Sequence, residues 1–192
     1  MLNLAVFISG GGTNLQSLID SCRSGKLKAE IKAVISNNSK AFGLERARQA
    51  GIEAFHISQV VYPDNAVYIN TMTKILEDKN IDLIVLAGYM KLLPIDIVRK
   101  YSGMIINIHP ALLPKYGGKG MYGINVHKAV IDAGDKFSGA TVHLVDEKYD
   151  QGKILIQRQV PVMADDTPES LAARVLEIEH QILPLAVELF IK

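Results

Sequence analysis

Leu4-Ala5-Val6-Phe7-Ile8-Ser9-Gly10-Gly11-Gly12-Thr13-Asn14 is the stretch that decides the fold. Its apolar, partly β-branched run reads as a strand, and the three glycines stop that strand. The period then changes. Leu15, Leu18, Ile19 and Cys22 fall at i, i+3, i+4 and i+7, one face of a helix. Thr13 or Asn14 is the expected cap, and Gly25 sits just past the end, where a left-handed residue is wanted. A strand, a glycine loop and a helix together open an α/β fold.

The same alternation continues outward. A strand is expected over Ile31 to Ser36. Ser39 is the expected cap of a short helix through Ala41, Leu44 and Ala47, closed by Gly51. A brief strand at Ala54 to Ile57 follows, then a helix opened by Pro63-Asp64 with the stripe Tyr68, Met72, Ile75 and Leu76. Leu83 to Leu86 is apolar without alternation, a strand buried on both faces. A short helix from Pro94 to Lys100 leads to a strand from Met104 to His109.

After His109 the pattern changes. Pro110, Pro114, Gly117, Gly118, Gly120 and Gly123 mark a loop with little room for regular structure. A helix near Asn125 to Ala133 follows, and then the strands Ala140 to Val145 and Ile154 to Val160 with no helix between them, an antiparallel pair. Thr167-Pro168 starts the last helix, with the stripe Leu171, Val175, Ile178 and Ile182; Pro184 is expected to bend or break it. The expectation is a Rossmann-like mixed sheet of about seven strands, mostly parallel with an antiparallel C-terminal part and flanked by helices.

Composition narrows the class. The chain has 192 residues, of which 48% are hydrophobic and 21% charged, a composition for one compact domain. A net charge of +1 gives no broad field to attract nucleic acid or an anionic membrane. The apolar stretches, such as Leu83 to Ala87, fall far short of the ~20 residues of a membrane span. Cys22 is the lone cysteine, which excludes an internal disulfide and a cysteine-rich metal site. The strand begins almost at Met1 with no targeting pattern, so a cytoplasmic protein is expected; monomer and homodimer are both open.

Two segments carry chemistry. The Gly10 to Asn14 loop offers unpaired N–H groups at a helix start, a place for a phosphate, although a tight turn needs glycines for geometry alone. It is neither a dinucleotide fingerprint, with Leu15 where Gly or Ala is wanted, nor a Walker loop. Asn107 and His109 lie two apart on the Met104–His109 strand, so both leave one face while Ile106 and Ile108 leave the other. An amide donor beside an imidazole suits a carbonyl carbon on which an oxyanion forms; both side chains could equally satisfy backbone groups. Asp150, in the turn Tyr149-Asp150-Gln151-Gly152, is a candidate partner that would raise the pKa of His109, but Asp before Gly is also ordinary turn chemistry. His127 and His143 look structural or peripheral, and no cluster has metal-ligand spacing.

Asn107-Ile108-His109-Pro110-Ala111-Leu112-Leu113-Pro114-Lys115-Tyr116 closely resembles the signature of the 10-formyltetrahydrofolate-dependent formyltransferases. Ile8 to Gln16, Asn37, Ala41 to Ala47, Leu86 to Met90 and Ile178-Glu179-His180 resemble the branch of that family that formylates glycinamide ribonucleotide. The resemblance runs from Met1 to about Leu185 and implies one formyltransferase domain over 1–192, with 1–100 the nucleotide-binding half and 101–192 the catalytic strand, folate loop and final helix. It implies Asn107, His109 and Asp150 as catalytic residues. It further implies Gly11, Gly12, Thr13 and Asn14 around the ribonucleotide phosphate, Glu179 on its ribose, and Tyr89, Met90, Lys91, Leu93, Val145, Asp146 and Glu147 around the folate. The cosubstrate implied is 10-formyltetrahydrofolate, with no metal.

Departures are Ala111 where many members have Ser, Lys91 where some have Arg, and a longer loop from Gly117 to Gly123. Two related activities fit less well. A formyltetrahydrofolate hydrolase resembles this chain in the same three residues but usually carries an extra N-terminal domain. A methionyl-tRNA formyltransferase would bring a further C-terminal domain and a basic surface. A folate- or nucleotide-binding module without catalysis would be favoured only if one of the three polar residues were missing.

Overall fold

Leu2–Ile8 forms β1 and Thr13–Arg23 forms α1, with the glycine loop between them. A computed structural model describes residues 1–147 and 150–191; Lys148 and Tyr149 of the expected folate loop and turn lie outside the described residues, as does Lys192. The alternation then runs β2 (Ala29–Ser36), α2 (Phe42–Gln49), β3 (Ala54–His56), α3 (Asn65–Asp78), β4 (Leu83–Leu86), α4 (Ile95–Lys100), β5 (Ile105–His109), α5 (Ile124–Asp132), β6 (Phe137–Leu144), β7 (Ile154–Pro161) and α6 (Pro168–Glu188).

These strands make one seven-stranded sheet in the order β3-β2-β1-β4-β5-β6-β7. The first five run parallel, and β6 and β7 pair antiparallel, as the missing helix between them implied. Chain direction across the sheet reverses between β1 and β4, since β2 and β3 continue to one side of β1 and β4 starts the other. The C-terminal ends of β1 and β4 therefore border the crevice where open α/β sheets bind ligands.

Alternation within β1 divides the core. Leu4, Val6 and Ile8 face α1, α2 and α6 on one side of the sheet; Ala5 and Phe7 face α3 and α4 on the other. Burial on both faces explains why β1 and β4 read as unbroken apolar runs.

Helix starts depart from the sequence reading. Gly12, not Thr13 or Asn14, caps α1, in the left-handed conformation (φ 72°), and Thr13 is already helical. A side chain at Gly12 would also meet the backbone of Gly43, its Cβ lying 2.6 Å from that Cα, so glycine is needed here for close approach and for φ. Ala41, not Ser39, caps α2, and it does so without a side-chain bond. Pro184 lies inside α6, which runs on to Glu188 unbroken.

Thr167 does cap α6. Its hydroxyl accepts from the Ser170 N–H, and the Ser170 hydroxyl accepts from the Thr167 N–H, a reciprocal capping box. Replacing Thr167 with Ala is expected to cost about 1 kcal/mol, read as a lowered urea midpoint with unchanged m-value.

Candidate active site

A cleft of about 620 Å³ opens along the C-terminal ends of β1, β4 and β5. Asn107 and His109 reach it from β5, and Asp150 reaches it from the segment between β6 and β7. Thr13 and Asn14 of α1 and Glu179 of α6 line one part of it; Tyr89, Met90, Lys91, Val145 and Asp146 line another.

The central cluster is tightly bonded. Asn107 Nδ2 lies 3.1 Å from His143 Nε2, because β6 sets His143 directly opposite Asn107 in the antiparallel register. His143 Nδ1 lies 2.8 Å from the Leu144 carbonyl, so a neutral ring donates from Nδ1 and accepts the Asn107 N–H at Nε2. Only a protonated His143 could also donate to Asp150, whose Oδ1 is 3.4 Å away. His109 Nε2 donates to the Tyr116 carbonyl at 2.7 Å, leaving Nδ1 to face Asp150 Oδ1 at 3.9 Å. Asp150 Oδ2 accepts the Gly118 N–H at 2.8 Å. One short segment, Tyr116 to Gly118, thus braces both His109 and Asp150.

The electrostatics correct one expectation. Asp150 does favour protonated His109, but burial is the stronger influence and, with His143 alongside, holds the imidazole below its ordinary value. Burial alone would push the Asp150 carboxyl up. The His143 ring, the Gly118 N–H and the charge of His109 together outweigh that, and the carboxyl stays below its ordinary value. Both shifts favour a carboxylate facing a neutral imidazole.

At the polar end, Asn14 Nδ2 donates to Glu179 Oε2 at 2.5 Å. Asn14 Oδ1 is buried without a partner among the described residues. Burial pushes the Glu179 carboxyl up to about 6 from an ordinary 4.5, against the opposing Asn14 N–H. The raised value means that Glu179 adds stability fully present below pH 4.5 and lost as pH rises through about 6. Glu179→Gln is accordingly expected to be more stable than the parent above pH 6, by about 2 kcal/mol, and no more stable near pH 4.5. Urea unfolding at both pH values checks the sign.

The two loops bordering the crevice are stitched by Ser9. Its N–H donates to the Gly88 carbonyl at 3.1 Å, and its hydroxyl accepts the Met90 N–H at 2.7 Å. The same hydroxyl donates to Asn37 Oδ1 at 2.5 Å, which accounts for Asn37 among the sequence features. Tyr89 stacks edge-on against Phe7, ring centroids 5.3 Å apart, which fixes the floor of the apolar end.

Four expected site residues do not line the cleft. Gly11 presents its carbonyl to Arg46 Nε at 2.8 Å, and Gly12 packs against Gly43. Leu93 is buried in the core beside α3 and α4, and Glu147 pairs on the surface with Arg99 at 2.8 Å. Conversely, His143 and His127 are both buried in the cleft wall rather than peripheral. The sequence carried no local signal for His143, which meets Asn107 only through the β5–β6 register. It carried none for His127 either. Among the described residues no group of three or more His, Cys, Asp or Glu is placed to hold a metal ion.

The comparisons with known proteins place the chain in a family. Residues 2–187 match the family model described as formyl transferase, and the chain belongs to that family. Within it, the chain is 44% identical over 190 residues to the phosphoribosylglycinamide formyltransferase of Haemophilus influenzae, covering 99% of this chain and 87% of that protein. It is 45% identical over 185 residues to the chloroplastic phosphoribosylglycinamide formyltransferase of Vigna unguiculata, covering 96% of this chain and 59% of that longer protein. Glycinamide ribonucleotide transformylase 1 from Symbiobacterium toebii superposes with a TM-score of 0.92 at 39% identity, over 99% of this chain and 87% of that one. A formyltetrahydrofolate deformylase from Pseudomonas syringae pv. tomato superposes with a TM-score of 0.87 at 26% identity, over 97% of this chain and 60% of that one.

Proposed function

We propose that this chain transfers the formyl group of 10-formyltetrahydrofolate to the amine of glycinamide ribonucleotide, a step of purine synthesis. The observation that carries the reading is that Asn107, His109 and Asp150 line one cleft together with the polar Asn14 and Glu179 and the apolar Tyr89, Met90 and Val145. The α1 start with Asn14 and Glu179 suits a phosphorylated ribose, and the apolar wall at Tyr89, Met90 and Val145 suits a folate ring. Three of the four relatives named above carry that activity in their names, and the fourth, at the lowest identity, is a formyltetrahydrofolate deformylase.

The reaction follows from the bonding. The amine attacks the formyl carbon, and the carbonyl electrons move onto oxygen. Asn107 holds one amide hydrogen on His143 and has the other to give to that oxyanion. His109 is neutral before attack and takes the amine proton at Nδ1, next to the Asp150 carboxylate that stabilises the new charge. That stabilisation exists only once charge has developed, which is where it lowers a barrier. Collapse of the oxyanion breaks the bond from carbon to the folate nitrogen, and the same proton passes to that nitrogen. In this reading neither a metal nor a covalent enzyme intermediate takes part.

The test mixes purified protein with 10-formyltetrahydrofolate and follows the absorbance change of deformylation, with and without glycinamide ribonucleotide. Consumption only with the ribonucleotide supports the transferase. Consumption with no acceptor, water being the nucleophile, points to the hydrolase.

A further inference from the structure

For His109 to take the amine proton at Nδ1, its own hydrogen has to sit on Nε2. A neutral imidazole has a single N–H, and a carbonyl oxygen can only accept. With the Tyr116 carbonyl 2.7 Å from Nε2, the hydrogen belongs there and Nδ1 keeps its lone pair. The Asp150 carboxylate, 3.9 Å from Nδ1, pulls the other way, since it would accept a hydrogen from that nitrogen. The placement of one backbone carbonyl therefore decides the tautomer.

That carbonyl is held from outside the cleft. Tyr116 sits at φ 56°, a left-handed conformation that strains an L residue and persists only where its surroundings hold it. Its side chain supplies the hold. The hydroxyl donates to Asp135 Oδ2 at 2.9 Å, and Lys115, the preceding residue, pairs with the same oxygen at 3.0 Å. Lys115 and then Tyr116 keep the Asp135 carboxyl below its ordinary value, so it stays an acceptor. Asp135 is fixed in turn by the end of α5. Gly134 is left-handed at φ 67°, and its N–H donates to the Ile131 carbonyl at 2.9 Å. The Asp135 N–H donates to the Val130 carbonyl at 3.3 Å, which completes a Schellman motif. Lys115, Tyr116 and Asp135 line a second cavity, of about 290 Å³, and not the catalytic cleft.

We propose that Asp135 is a positioning residue, clamping the Tyr116 side chain and with it the carbonyl that keeps the His109 hydrogen on Nε2 and leaves Nδ1 free as the base. This rests on the transferase reading for the identity of the substrates. Asp135 touches neither of them, so its loss slows turnover without weakening binding.

The experiment uses the full chain and two readouts. Long-range ¹H–¹⁵N spectra of the ligand-free protein report which His109 nitrogen carries the hydrogen. Nε2 is expected in the wild type, with a shift of population toward Nδ1 in Asp135→Ala and in Tyr116→Phe. Steady-state rates are the second readout. Each variant is expected to lose roughly tenfold to a hundredfold in kcat, with the KM of both substrates within about twofold. Asp135→Asn, which keeps an oxygen for the Tyr116 hydroxyl, should recover most of the loss. The double variant of Asp135→Ala and Tyr116→Phe should be no worse than the poorer single one. Tyr116→Phe removes one oxygen atom, so it carries the test even where Asp135→Ala folds poorly. A wild-type His109 protonated on Nδ1 would overturn the assignment, as would an unchanged tautomer or an unchanged kcat in Tyr116→Phe. So would a loss that falls on KM and is not recovered by Asn. Wild-type protein that leaves glycinamide ribonucleotide unformylated overturns the transferase reading, and the tautomer in the variants then still decides the role of Asp135.

Discussion

Asp150→Asn is expected to lower kcat by about 100–1,000-fold while changing the KM of either substrate only a few-fold. The amide keeps the shape of the carboxylate and an oxygen for the Gly118 N–H, so the segment that carries it stays braced. What disappears is the negative charge 3.9 Å from His109 Nδ1. Burial already disfavours a charge on that imidazole, and Asp150 is the main opposing influence. Without it, the proton leaving the amine has no stabilised place to go. His109→Ala removes the same proton acceptor, so the double variant should lose little more than either single one, as expected of groups acting as a unit. Near-normal turnover of Asp150→Asn would falsify the proton path.

Gly152→Ala should be the most damaging conservative change in this region. A Cβ built there lies 1.7 Å from the Leu144 carbonyl oxygen and 2.7 Å from its carbon, both backbone atoms that cannot step aside. Relief requires the start of β7 to move off β6, at the foot of the segment that carries Asp150. The Lys153 carbonyl accepts the Leu144 N–H at 2.9 Å in the same place and would be pulled with it. A loss of about 2–3 kcal/mol in stability is expected. A fall in kcat should accompany it even at temperatures where the variant is folded, because Asp150 moves with its base. Thermal unfolding and turnover measured on one preparation separate the two effects. A variant as stable and active as the parent would show that the strands part without cost.

The fold was legible wherever one period dominated. β1 and β4 stand out as apolar runs because both of their faces are buried, and α3 and α6 show their stripes because one face packs on the sheet. Helix starts were harder. Ser39 has the favoured cap chemistry, yet the backbone of α2 begins at Ala41–Phe42, where the Gly43 N–H donates to the Gly10 carbonyl and fixes the entry from a distance. In the site, Asn107 and His109 were visible because two residues of one strand share a face. Asp150, His143 and His127 reach them only through the sheet register and the packing of α5, and no local spacing encodes those distances. The protonation of His109 was misread for the same reason: a charge partner can be guessed from sequence, but the depth of burial that opposes it cannot.

The brace from Tyr116 to Gly118 has a consequence for how such loops can be exchanged between relatives. His109 and Asp150 come from opposite sides of the β5–β6 pair, yet both are tied to backbone atoms only two residues apart. A loop transplant or a length change that starts at Met121 leaves those two anchors where they are. One that starts at Pro114 moves the reference point of both reacting groups at once. The permissible splice site therefore falls after Gly118, and the glycine-rich stretch beyond it is the part of this loop free to vary in length.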